Sequence, residues 1–123
     1  MPFDGVVVRS RPTVAGMREI EVLYFDGCPS WQSAWAVLGA FLAESGREAS
    51  VRLRDVATMA PAELEGFAGS PTIRVDGVDL FGYGGPAVMA CRRYEDNDGQ
   101  GWPSLESLRA RLGAVLDGAA PSP

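Results

Sequence analysis

Apolar positions along the chain follow two periods. Over residues 18–25 β-branched and aromatic residues run up to Asp26-Gly27, and both faces of Val22, Leu23, Tyr24 and Phe25 are apolar, which predicts a strand near the middle of a sheet. Over residues 30–44 the period changes: Trp31, Ala34, Trp35, Leu38, Phe41 and Leu42 fall three and four apart, the spacing of a helix stripe, and Ser45-Gly46 ends it. Trp35, Leu38 and Leu42 are expected to face the sheet, with Trp31 in the first turn beside Cys28. Residues 49–56 alternate again, Val51 and Leu53 against outward Arg52 and Arg54, and predict a second strand. A short helix is expected from Thr58 or Met59, with Pro61 in its first turn, Leu64 and Phe67 on its buried side, and Gly66 and Gly69 breaking it.

Residues 70–75 and 78–81 are short alternating runs joined by Asp76-Gly77, a pair that tolerates the positive φ angles of a tight hairpin turn. Pro71 stands at the first strand position, where proline breaks no ladder bond. Residues 82–103 form a glycine-rich connection longer than compact domains usually carry, which points to local structure or function. Cys91 lies in its middle; residues 86–91 suit one or two helical turns, and 95–99 an exposed turn whose acidic residues lack calcium-loop spacing. Ser104 caps a last helix with Leu105, Leu108, Leu112, Val115 and Leu116 on one face, closed by Gly118. One domain is thus expected over 18–118, preceded by an arm or edge strand at 1–17 around Val6-Val7-Val8 and followed by a flexible tail at 119–123.

The chain has 123 residues, enough for one core. Its net charge of −5 argues against nucleic acid or an anionic membrane as main partner. No apolar run approaches the roughly 18 residues that span a bilayer, and no secretory signal is evident, so a cytoplasmic location is expected. Oligomeric state is left open. Histidine is absent, and all 11 basic side chains are arginine, which removes Cys–His and Ser–His–Asp catalysis, His-bearing zinc sites and lysine nucleophiles. No cofactor and no resident metal are expected. Cys28 and Cys91 remain as the reactive groups.

Cys28 sits where the first strand becomes the first helix. Unpaired N–H groups and the positive end of the peptide dipole favour thiolate there, whereas the nearby Asp26 carboxylate acts in the opposite direction. The bland alternative is a buried, inert cysteine behind a core strand.

The order of strand, Cys at a helix start, helix, strand, helix, Pro-led hairpin and final helix resembles the thioredoxin-like fold family over about residues 18–117. The residues that carry the likeness are Gly27-Cys28-Pro29-Ser30-Trp31 and Gly69-Ser70-Pro71-Thr72. With Cys91-Arg92-Arg93-Tyr94 the chain looks, more narrowly, like a group of small bacterial proteins sometimes labelled alkylmercury lyase. The resemblance implies an α/β fold with a central mixed sheet of about four strands flanked by helices, and a thiol–disulfide oxidoreductase acting on a protein or small thiol or disulfide. By it, Cys28 is the attacking thiol and Pro71 is in the cis form, offering the Ser70 backbone as an edge for an extended substrate, with Trp31, Ser70 and Pro71 as substrate contacts.

Trp31 replaces the second cysteine of the usual Cys-x-x-Cys, and Val22 lies near the position of the family's buried carboxylate. Cys91 is therefore the possible resolving thiol, provided that the two Cα atoms come within about 7 Å. Two other functions stay open. One is soft-metal or organomercurial handling by Cys28, Cys91 and an acid such as Asp26. The other is a non-catalytic binding module using Trp31, Tyr83 and the Ser70-Pro71 edge.

Overall fold

The first strand, β1 (Glu19–Tyr24), buries Ile20, Val22 and Leu23 completely. Residues on both of its faces are thus removed from water, as suits a strand flanked on either side. Its neighbours are β2 (Ser50–Asp55), which runs parallel to it, and β3 (Thr72–Val75), which runs antiparallel. A computed structural model of the chain describes residues 18–47 and 49–117. The short strand β4 (Val78–Asp79) completes a four-stranded mixed sheet in the order β2-β1-β3-β4.

A parallel pair needs a crossover, and α1 (Ser30–Ser45) supplies it between β1 and β2. The helix ends where Gly46 takes a φ of 68° and its N–H returns to the Leu42 carbonyl. Trp35, Leu38 and Leu42 face the sheet as expected, joined by Leu108, Leu112 and Val115 of α2 (Leu105–Leu116). Both helices therefore cover the face lined by Ile20, Val22, Val51, Ile73 and Val75. The Ser104 hydroxyl accepts from the Ser107 N–H at 3.0 Å, the predicted cap of α2. On the opposite face Leu23 meets Val56, Met59 and Phe67.

The hairpin turn is as read, with φ of 53° at Asp76 and 86° at Gly77. Two other expectations need correction. The segment after β2 is not one short helix but two 3-10 turns, Val56–Thr58 and Pro61–Leu64. Too few residues separate Pro61 from Gly66, whose φ is 83°, to offset the cost of starting an α-helix. Residues 86–91 are not helical either. The chain over residues 85–91 runs as a strap whose backbone bonds go across to residues 66–70: Gly66 N–H to Gly85 O, Val88 N–H to Phe67 O, and Ser70 N–H to Ala90 O. Among the described residues, no helix is long and apolar enough to cross a membrane. The Val6-Val7-Val8 arm, the Gly118 stop and the tail at 119–123 lie outside the described residues.

Candidate functional site

Two loops and one helix end converge at the C-terminal edge of β1. Cys28 follows the turn at Gly27, where φ is 97°, and its N–H donates to the Phe25 carbonyl at 3.3 Å. Pro29 occupies the cap position of α1 and makes no side-chain capping bond, so the first N–H groups of the helix are left for other acceptors. The Ser30 and Trp31 N–H groups bond to the Cys28 sulfur, which is only 1% exposed.

The second loop carries the cis Ser70–Pro71 peptide. Thr72 ties this loop together, its hydroxyl donating to the Gly69 carbonyl at 2.6 Å and accepting from the Ala68 N–H at 3.2 Å. Fully buried Ser70 then holds three segments at once. Its hydroxyl accepts from the Phe25 N–H at 3.3 Å, and its carbonyl accepts from the Cys28 thiol at 3.4 Å. The same carbonyl accepts from the Arg92 N–H at 2.9 Å, while the Ser70 N–H donates to the Ala90 carbonyl at 2.9 Å. These last two bonds form a parallel bridge between Ser70 and Cys91. They place the Cys91 sulfur 3.4 Å from the Cys28 sulfur. Both cysteines are free, Cys28 buried and Cys91 exposed.

The two thiols have opposite electrostatic surroundings. Burial alone pushes the Cys28 thiol up, but hydrogen bonds from the Ser70 side chain, the Ser30 N–H, the Cys91 thiol and the Trp31 N–H outweigh it. The net effect lowers Cys28 below an ordinary cysteine. Asp26, expected to raise it, is exposed, where water screens its charge. Cys91 is raised, first because its thiol donates to Cys28, then by burial and the nearby Cys28 charge. The buried sulfur is thus the one whose thiolate is favoured, while the exposed one keeps its proton more firmly.

Comparison of the chain with family models, with curated proteins and with solved structures finds no match. What the site can do therefore rests on its own geometry.

Of the residues expected from sequence, Cys28, Cys91 and Ser70 meet directly. Pro71 is buried beneath them, its carbonyl accepting from the Tyr94 hydroxyl at 2.5 Å. The Ser70 backbone, expected to offer an open edge to a substrate, is instead engaged within the chain by Ala90 and Arg92. The ring of Trp31 packs on Tyr24 with centroids 4.6 Å apart and leans against the core, so what it gives the thiol is its backbone N–H. Tyr83 lies just before the strap, its hydroxyl donating to the Pro86 carbonyl at 2.7 Å. No group of three or more Cys, Asp or Glu side chains placed to hold a metal ion occurs among the described residues, so Asp26 does not complete a ligand set with the two thiols.

The residues given no role from sequence are Asp79, Arg92 and Tyr94. Arg92 forms two bonds with the fully buried Asp79 carboxylate, at 2.7 and 3.1 Å, and its guanidinium lies 4.7 Å from the Tyr94 ring centre. Asp79 also accepts from the Phe81 and Tyr83 N–H groups. Burial, more than any neighbour, pushes the Tyr94 hydroxyl far up, so it stays a donor to Pro71. A charged residue at an inward position of β4, opposite Arg74 in the hairpin register, was the available signal for this cluster. Beside Cys91 a cleft of about 220 Å³ opens, bounded by Ser30, Arg93, Gly101 and Trp102 among others.

Proposed function

We propose that the chain is a thioredoxin-like protein whose Cys28 and Cys91 form a redox couple that exchanges electrons with disulfides. The observation that carries this is the 3.4 Å approach of two free thiols, one buried with its pKa lowered by hydrogen bonds and one open to solvent. The order of strands and helices, the cis peptide at Ser70–Pro71 and the cysteine at the start of α1 agree with that fold family's expectations. Closing the pair needs the sulfurs to move together by somewhat over 1 Å, to the disulfide length of about 2.05 Å. In the reducing direction the two thiols give two electrons and two protons to a disulfide. The products are the Cys28–Cys91 disulfide and two free thiols, and two molecules of a low-molecular-weight thiol restore the dithiol.

Cys91 thus supplies the second thiol that Trp31 removes from the usual motif position. A turnover assay checks this, with dithiothreitol as electron donor and a small disulfide as acceptor. The wild-type protein is expected to accelerate the exchange, Cys91→Ser to fall to the uncatalysed rate, and Cys28→Ser to fall well below wild type. Full activity in Cys91→Ser would remove the couple and leave a single-thiol mechanism.

A further inference from the structure

The redox reading pairs two sulfurs without saying which of them bonds to the substrate, and the sequence resemblance assigns that role to Cys28. The geometry points to the reverse: Cys91 is the sulfur that takes the substrate in a mixed disulfide, in the cleft between the strap and the start of α1, and the substrate is a small disulfide bearing a carboxylate. This inference rests on the proposed redox function and refines it.

Access separates the two sulfurs. Cys28 is 1% exposed and lies beneath the strap, whereas Cys91 is exposed and lines the cleft. The Ser70 backbone, which an extended peptide would need, is already bonded on both sides by Ala90 and Arg92. A peptide could pair there only by displacing the strap, and Cys91 with it. The cleft needs no such displacement. At about 220 Å³ it falls below the range of about 300 Å³ upward that drug-sized ligands occupy. Gly101 keeps its far wall tight against α1, since a Cβ there would overlap the Ser30 side chain. Arg93 stands on the cleft wall, exposed, and among the described residues it bonds to the Gly99 carbonyl and to no carboxylate.

The exchange then runs as follows. Cys91 gives up its proton to water and attacks one sulfur of R–S–S–R; the substrate disulfide breaks and the first R–S⁻ leaves and is protonated. The Cys28 thiolate attacks the Cys91 sulfur, the second R–S⁻ leaves by the cleft, and the Cys28–Cys91 disulfide forms. Two electrons pass from the protein thiols to the substrate. In reverse, an incoming thiolate attacks exposed Cys91 and Cys28 departs, aided by the hydrogen bonds that stabilise its thiolate.

Two single-cysteine variants and two small disulfides test this. Folded Cys28→Ser and Cys91→Ser are each treated with the disulfide of mercaptopropionate, and adduct formation is followed by mass. Cys28→Ser is expected to label at Cys91 at least about tenfold faster than Cys91→Ser labels at Cys28. Denatured Cys91→Ser labels fully and shows its thiol intact. Equal or faster labelling of folded Cys91→Ser, or no labelling of folded Cys28→Ser, would overturn the assignment. For the carboxylate, the rate ratio of this disulfide to the neutral disulfide of mercaptoethanol is measured on Cys28→Ser at low salt. Arg93→Ala should lower that ratio by up to about fivefold; an unchanged ratio sinks the carboxylate preference. Wild-type protein treated in parallel separates the two levels. If it keeps a single adduct and forms no internal disulfide, the redox couple fails whatever the labelling order.

Discussion

A methyl group placed on Gly69 would sit 2.7 Å from the Ala90 carbonyl and 3.2 Å from the Arg92 nitrogen, and φ at this residue is 107°. Close approach of the strap and a positive φ thus require glycine at the same point. Gly69→Ala is expected to cost about 1–3 kcal/mol in urea unfolding and to slow closure of the Cys28–Cys91 disulfide, because the strap that carries Cys91 must lift. Unchanged stability and closure would mean that the strap is not held there. At the cysteines themselves the signs differ: hydrogen bonds outweigh burial and lower Cys28, while donation to Cys28 raises Cys91. On raising the pH, the pair should therefore lose its protons in two steps, the first below and the second above the ordinary cysteine value, followed by ultraviolet thiolate absorbance. Cys28→Ser should abolish the lower step. One joint step at the ordinary value would show that neither environment acts. The helix-end position of Cys28 was legible in sequence because its cause is local, a strand turning into a helix within a few residues. The weak influence of Asp26 was not, since it depends on exposure.

Among the elements, the strap decides the site, and it is the piece that periodicity misread. Its hydrogen bonds reach residues about twenty positions earlier, such as Ser70 N–H to Ala90 O, and no local pattern encodes such pairing. The Asp76-Gly77 hairpin was legible for the opposite reason, its turn chemistry and its register both lying within a few residues. What anchors the strap is the Asp79–Arg92 pair, with side chains 0% and 11% exposed, just after Cys91. Asp79→Leu alone leaves the Arg92 charge buried and unpaired, and is expected to cost about 3–5 kcal/mol. Combined with Arg92→Met it should cost far less than the sum of the single changes, since the doubly substituted site holds no orphan charge. Urea unfolding of the full cycle checks this, and additive costs would show that the pair acts only as packing.

At the scale of the whole molecule, the sheet and its two helices bring together residues far apart in the chain: Cys28 and Cys91 are separated by 63 positions yet touch. Element order and the apolar faces of α1 and α2 were readable from spacing alone, and so was the placing of β1 between two partners. The meeting of the thiols was not, because it depends on three things that act together: the Ser70 bridge, the Asp79 anchor and the small Gly69. The most direct test is to oxidise the folded wild-type protein with one equivalent of a small disulfide and map its peptides without reduction. The Cys28 and Cys91 peptides should appear linked within one chain, with both thiols lost together. Two persistent free thiols, a stable adduct on either cysteine, or linkage only between chains would contradict the redox couple.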